Sequence, residues 1–341
     1  MSPTPGGESA EPEWRQCPIT HRWVTIAPSR ALRPHDFRHA SHDSQAVADE
    51  IASCPFCAGH EHETPAEVAV IYGPSNWQVR TVRNKYPAVN DQLSLTPWQR
   101  GMSSGLTGFG LHDVIVESPR HIQRTGDLSD SEFASVLEMY RRRLLDLRQD
   151  ERLKYGLLFK NVGPEAGASL EHLHSQLVGL PMIPAAVQEE LTGSEQYYSA
   201  HGRCVYCDLI ATEETLGERL VKATNDFVAF CPAASRFGWE TWVLPRRHAD
   251  TFELSDASQV PQLAAFLHDV LARVEATLPR CTYNYYIHSA PFATQDLRYY
   301  HWHIEITPRV YGAAGFEWGT GFAINPTSPE QAAESLRRAS G

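Results

Sequence analysis

Histidines spaced two apart are the residues of this chain best suited to chemistry. They stand at His172-Leu-His174-Ser-Gln176 and again at His301-Trp-His303. In an extended strand residues i, i+2 and i+4 share one face, so His172, His174 and Gln176 are expected to point the same way. Before them runs Asn161-Val-Gly-Pro-Glu-Ala-Gly-Ala-Ser169, a polar loop whose Gly163, Gly167 and Ser169 can leave backbone N–H groups free for phosphate oxygens. A neutral imidazole beside such a loop can attack phosphorus and give a phosphoramidate that is readily displaced. Gln176 can then donate to a non-bridging oxygen and stabilise the charge that develops there. Strand alternation alone leaves open which of the two histidines reacts.

The cysteines narrow that choice. The chain has seven, an odd number without an export signal, so disulfides are not expected. Four form the pairs Cys54-Pro-Phe-Cys57 and Cys204-Val-Tyr-Cys207. Taken singly, each pair suits either a metal or redox chemistry. A degenerate internal repeat favours the metal. Pro119-Arg-His121 recurs as Pro245-Arg-Arg-His248, Leu128-Ser-Asp130 as Leu254-Ser-Asp256, and His172-Leu-His174 as His301-Trp-His303. The offset runs only from 126 (Pro119 to Pro245) to 129 (His172 to His301). Each half therefore supplies two Cys, a turn His and the first His of His-x-His. The sets are Cys54, Cys57, His121 and His172, then Cys204, Cys207, His248 and His301. Two thiolates and two imidazoles suit a closed tetrahedral Zn2+ site, and four protein ligands leave no position open for catalysis. Two structural zinc sites are expected, and His174 remains as the free nucleophile. His112, His268 and His288 lack such support and read as structural.

These side chains need strands and helices to hold them. Arg22-Trp-Val-Thr-Ile-Ala27 reads as a strand that enters the turn Pro28-Ser-Arg-Ala-Leu-Arg-Pro34, where Arg30 and Arg33 are either cations for an anionic ligand or a solvated basic loop. Further strands are expected at Trp77 to Asn84, from Gly108 into the turn before His121, and at Tyr155 to Phe159. Ser129 and Glu132 form a capping box before Phe133, Val136, Leu137, Tyr140, Leu144 and Leu147, which keep helical spacing. Leu263, Phe266, Leu267, Val270, Leu271 and Val274 repeat the pattern. Each half thus reads strand, turn, His, helix, strand, loop, His-x-His strand: an α+β unit with an antiparallel sheet and packed helices, used twice. The division is expected near Ala185 to Gly202.

Composition agrees with this picture and excludes others. A chain of 341 residues that is 42% hydrophobic and 21% charged suits two globular domains. Its net charge of -11 argues against nucleic acid or anionic membrane as partners, so any phosphate site must be built locally. The longest apolar run, Leu177 to Val187, is too short to span a bilayer and is broken by Pro181 and Pro184. With no secretory signal pattern, a cytoplasmic protein is expected, with a disordered tail from Met1 to Pro12.

Taken together, Arg30-Ala-Leu-Arg33-Pro, Cys54-Pro-Phe-Cys57, Asn84, Glu117-Ser-Pro-Arg-His121, Asn161 to Gln176, His288-Ser-Ala-Pro-Phe292, His301-Trp-His303 and Pro329-Glu-Gln-Ala-Ala carry a resemblance. From about Pro12 to the C-terminus the chain resembles the galactose-1-phosphate uridylyltransferase family of the histidine-triad superfamily. The resemblance implies two tandem histidine-triad-like domains, 13–188 catalytic and 189–341, usually in a homodimer. It implies ping-pong transfer, in which His174 takes the nucleotide from a nucleotide sugar, releases a sugar 1-phosphate and passes the nucleotide to a second phosphate. Arg30, Arg33, Asn84, Asn161, Gly163, Ser169 and Gln176 fall where family members hold the nucleotide and its phosphates. Galactose-type members carry a hexose-phosphate segment Lys-Phe-Met-Val-Gly-Tyr-Glu. Here the stretch is Gly315-Phe-Glu-Trp-Gly-Thr-Gly321, which keeps Phe316 and Gly319 but lacks the Lys, Tyr and Glu. That departure is similar to the ADP-glucose phosphorylase branch, and the Cys204/Cys207 set resembles the plant-like branch of the family. The second half lacks the Gly/Ser loop and has Glu305 in place of Gln176, so it reads as non-catalytic. The expectation is UDP-glucose with galactose 1-phosphate first, and ADP-glucose with phosphate second. A non-catalytic nucleotide-binding zinc protein is the alternative of another class.

Overall fold

Ser129 and Glu132 do form the expected capping box, each bonded to the other's backbone N–H, and they start helix α1, Asp130–Leu147. This computed structural model describes residues 11–32, 53–74, 76–280, 282–294 and 296–339. Arg33, Cys281 and most of the expected tail lie outside the described residues.

In chain order the strands are β1 (Glu13–Gln16), β2 (Trp23–Ile26), β3 (Glu67–Tyr72), β4 (Trp77–Arg83), β5 (Pro97–Arg100), β6 (Ser103–Leu106), β7 (Leu111–Val116), β8 (Tyr155–Val162) and β9 (His174–Leu180). The second half adds β10 (Leu220–Ala223), β11 (Phe227–Phe230), β12 (Thr241–Pro245), β13 (Tyr283–His288), β14 (His303–Pro308) and β15 (Ala323–Asn325). Helices α2 (Ala185–His201), α3 (Val205–Leu216), α4 (Val260–Thr277), α5 (Gly315–Thr320) and α6 (Pro329–Arg338) complete the chain.

Ten strands make one sheet in the order β10-β11-β12-β14-β13-β8-β9-β7-β4-β3. Its neighbours all pair antiparallel, and the halves join where β8 meets β13 with Val162 opposite Tyr283. The repeat is visible in it: β7, α1, β8 and β9 answer to β12, α4, β13 and β14. The antiparallel α+β expectation holds, and the two sequence units share a single sheet.

Strand alternation divides the sheet's two faces. On one, α1 and α4 bury Phe133, Val136, Tyr140 and Leu144 with Phe266, Leu267, Val270 and Val274 against Ile115, Leu177, Ile304 and Ile306. Each such side chain contributes about 1.5–3 kcal/mol by leaving water. Gly179 of β9 leaves the room that Leu147 fills, since a Cβ there would lie 2.9 Å from Leu147 Cδ2. The opposite face holds two smaller cores. One gathers Cys54, Phe56, Cys57, Trp77, Val82, Val114 and Val116. The other packs α2 and α3, through Val187, Leu191, Val205 and Tyr206, on Val228, Phe230, Trp242 and Leu244. The stretch where the halves were expected to divide is therefore helix α2, closed at Gly202 with φ +69°. No helix among the described residues is long and apolar enough to cross a membrane.

Candidate functional site

β9 begins at His174, so His172 stands just before the strand rather than within it. The reason is local: the His172 ring turns towards the first Cys pair. Its Nδ1 lies 3.4 Å from Cys54 Sγ and 3.6 Å from Cys57 Sγ, while Nε2–H donates to the Ser118 carbonyl at 2.8 Å. His121 Nδ1 is 3.5 Å from Cys57 Sγ. The four ligand atoms lie within 4.8 Å of one another. The second set repeats this arrangement. His248 Nδ1 and His301 Nδ1 are 3.5 and 3.7 Å from Cys207 Sγ, and the His301 Nε2–H donates to the Pro245 carbonyl at 2.9 Å. Cys204 completes a group that again spans no more than 4.8 Å. A backbone acceptor on Nε2 leaves the Nδ1 lone pair to face the thiols, which is the tautomer a metal needs. At the first cluster burial, then neighbouring Cys54, pushes the Cys57 thiol up to about 11. A dication between them would reverse that. Both groups are candidate metal-binding clusters with the expected ligands.

His174 is buried, and its ring packs edge-on against Phe56 at 5.4 Å between centroids. Its Nδ1–H donates to the His172 carbonyl at 2.7 Å. That bond leaves the lone pair on Nε2, and burial lowers the imidazole's pKa, which keeps it neutral. Beside it is a cleft of about 300 Å³, lined by Arg124, Asn161, Gly163, Ser169, His172 and His174 among others. Gly163 has φ +83°, and a Cβ on it would meet Thr282 Cγ2 at 2.3 Å, so the residue must be glycine on both counts. One expectation needs correcting. Pro164 starts a tight turn in which the N–H groups of Gly167 and Ala168 bond to the carbonyls of Pro164 and Gly163 at 2.9 and 3.1 Å. The Gly167 N–H expected to be free is therefore used within the loop, while Gly163 and Ser169 line the cleft. The loop is braced from the second half: Asn284 Nδ2 donates to Asn161 Oδ1 and to the Ala166 carbonyl, both at 2.8 Å.

Gln176 and Asn84 are brought together further along the same face, through His112. Gln176 Oε1 is 2.8 Å and Asn84 Nδ2 3.1 Å from His112 Nε2. Sequence reading gave His112 no part in the site. Gln176, Asn84 and His112 are not among the cleft's lining residues, and neither are Arg30, in the turn Pro28–Leu32, or Phe316 and Gly319, on α5.

Behind the strand, on the α1 face, lies a network that sequence reading also missed. Glu117 accepts from Lys160, from Ser175 and, at 2.6 Å, from the Tyr140 hydroxyl. Its signal was Lys160 inside the apolar run of β8 and Glu117 directly after that of β7. In the second half Glu305 is held by Arg236 at 2.5 Å and by the Tyr286 hydroxyl, while His288 pairs with Glu190 at 2.9 Å. Glu190, His288, His303 and Glu305 form a third buried convergence of possible ligands. His303 repeats the posture of His174, with Nδ1–H donating to the His301 carbonyl at 3.1 Å, but it is enclosed by protein and faces carboxylates rather than a phosphate loop.

Residues 7–184 match the galactose-1-phosphate uridyl transferase N-terminal domain, which is more than half of the chain. The chain belongs to the galactose-1-phosphate uridylyltransferase family. Residues 106–339 also match a domain of unknown function, DUF4921. Among family relatives, the ADP-glucose phosphorylase of Arabidopsis thaliana is 35% identical, over 98% of this chain and 94% of that protein. The galactose-1-phosphate uridylyltransferase of Thermotoga maritima is 27% identical, over 95% of this chain and 98% of that protein. A crystal structure of the Arabidopsis thaliana ADP-glucose phosphorylase with bound ADP-glucose superposes with a TM-score of 0.83 at 32% identity, covering 97% of this chain and 99% of that one. A uridylyltransferase structure gives 0.74 at 26%, covering 95% and 97%. This member of the family is thus a nucleotidyltransferase, of the part of the family that includes the ADP-glucose phosphorylases.

Proposed function

We propose that the chain transfers a nucleoside monophosphate through a covalent nucleotidyl-His174 intermediate. The observation that carries the reading is the Nδ1–H bond from His174 to the His172 carbonyl at 2.7 Å, which leaves Nε2 as the nucleophilic nitrogen. Nε2 attacks the α-phosphorus of a nucleotide sugar, the bond to the leaving sugar 1-phosphate breaks, and that group departs with its electron pair. In the second step an acceptor phosphate oxygen attacks the same phosphorus and the P–N bond breaks. Gln176 donates to a non-bridging oxygen as charge develops. Asn84, Asn161, Gly163, Ser169, Arg30 and Arg33 hold the nucleotide and its phosphates.

Zn2+ in both Cys2His2 clusters would supply a rigid cross-link rather than a reacting group. At the first cluster, the carbonyl that orients His174 belongs to His172, itself a proposed ligand. The nucleophile is therefore positioned by a residue that the metal would fix.

For the donor we propose ADP-glucose with orthophosphate as acceptor. Three observations support it: the higher identity and TM-score of the ADP-glucose phosphorylase, and Gly315, Thr320 and Gly321 where galactose-type members carry Lys, Tyr and Glu. UDP-glucose with galactose 1-phosphate is the second reading, supported by family membership. We also propose a cytoplasmic homodimer with a catalytic unit at 13–188 and a second unit at 189–341. Trp318 on α5 is 81% exposed, and Trp14, Phe316 and Phe322 are exposed as well, an apolar set that dimerisation would cover.

Product analysis decides between the readings. The protein is given ADP-glucose or UDP-glucose with either orthophosphate or galactose 1-phosphate. ADP and glucose 1-phosphate formed from ADP-glucose and orthophosphate is the expected result. Turnover only with UDP-glucose and galactose 1-phosphate would reverse the order, and binding without turnover would favour the non-catalytic protein.

A further inference from the structure

The geometry points to His112 as a positioning residue that sets which end of the Gln176 amide faces the phosphorus, an inference that rests on the transfer reading above. In the register of β7 and β9, Val114 stands opposite Gln176 and His112 opposite Val178. His112 and Gln176 are therefore diagonal neighbours on one face, the face that carries His174.

The proton on His112 is assigned by its surroundings. The Ala88 N–H donates to Nδ1 at 3.1 Å, so Nδ1 is an acceptor and the neutral ring carries its hydrogen on Nε2. That hydrogen goes to Gln176 Oε1 at 2.8 Å. A glutamine amide has two nearly isosteric orientations, and only the hydrogen-bond partners distinguish them. With Oε1 held by His112, both N–H donors of Gln176 are turned away from the histidine and available to a phosphoryl oxygen. In the flipped orientation a carbonyl dipole would face the developing negative charge and oppose it.

Two further bonds fix the His112 backbone and the Asn84 side chain beside the ring. The Asn84 backbone N–H donates to the His112 carbonyl at 2.8 Å, and Asn84 Oδ1 accepts from the Tyr86 N–H at 2.8 Å. With its oxygen so occupied, the Asn84 amide nitrogen beside Nε2 also remains a donor. His112 thus sets the Gln176 amide, while the Tyr86 N–H sets the Asn84 amide, whose nitrogen lies 3.1 Å from Nε2 without bonding to it in this tautomer.

The test compares His112→Phe, which keeps the ring and removes both nitrogens, with His112→Gln, which restores a donor. Gln176→Ala and the double variant His112→Phe/Gln176→Ala complete a cycle. The readouts are the single-turnover rate of nucleotidyl-His174 formation, KM, and the thermal midpoint of each variant. A neutral hydrogen bond contributes a factor of up to about ten, so His112→Phe should slow the transfer about tenfold with KM within about twofold. His112→Gln should recover part of the rate, and the double variant should be no slower than Gln176→Ala. Rate losses that multiply in the double variant, or a loss confined to KM with kcat unchanged, would overturn the assignment. A fall in rate that tracks the thermal midpoint across the variants would overturn it as well. Wild-type protein that forms no nucleotidyl-histidine would instead overturn the transfer reading, and this inference with it.

Discussion

Replacing Lys160 with Met should be among the most damaging single changes behind strand β9. The Lys160 and Glu117 side chains are 1% and 0% exposed, and they form an ion pair. Burial draws Lys160 below the ordinary lysine pKa, and Glu117 opposes that shift. Removing the ammonium leaves a buried carboxylate whose remaining partners are the hydroxyls of Tyr140 and Ser175. Breaking a buried pair from one side costs about 3–5 kcal/mol, whereas removing both charges is often close to neutral. That is a large share of a domain's usual stability of about 5–15 kcal/mol. Lys160→Met/Glu117→Gln keeps an acceptor for Tyr140 and should recover most of the loss, to within about 1 kcal/mol of wild type. Urea unfolding followed by tryptophan fluorescence measures both variants, with midpoints compared at equal m-values. A single variant costing under about 1 kcal/mol, or a double variant as unstable as the single, would refute the description of this pair as buried and mutually dependent.

Zinc analysis should give about two ions per chain in wild type, about one in Cys54→Ser and about one in Cys204→Ser. Nucleotide transfer should fall far more in Cys54→Ser, because the first cluster holds the His172 carbonyl that orients His174; equal losses would contradict that coupling. Gly193 of α2 lies so close to the N-terminal segment that a Cβ would sit 1.7 Å from the Ile19 carbonyl oxygen. Gly193→Ala should therefore destabilise by about 1–3 kcal/mol despite alanine's better helix propensity, and a raised thermal midpoint would count against this packing.

What was readable in the sequence followed from local rules. The capping box at Ser129, the apolar spacing of α1 and α4, and the two Cys2His2 sets all depend on short-range periodicity or on repetition of a pattern; the structure has the box and both helices and brings each set of four side chains together. The elements that escaped notice depend on contacts between distant residues. His112 joins Gln176 across 64 positions and Glu117 joins Lys160 across 43, distances that only the sheet register closes. The loop donors were misjudged because Pro164 tightens a turn that uses N–H groups of its own. Asn284 reaches the loop before His174 from the other half because β8 and β13 pair side by side within one sheet, which a view of two separate units does not anticipate.

The central claim is that His174 carries the nucleotide. ADP-glucose and UDP-glucose labelled in the α-phosphate are incubated separately with wild type and His174→Ala, and protein-bound label is measured before and after acid. Wild type should retain one acid-labile label per active chain, discharged by orthophosphate, and His174→Ala none. Undiminished labelling of His174→Ala, or a wild type that turns over without ever holding label, would contradict the account.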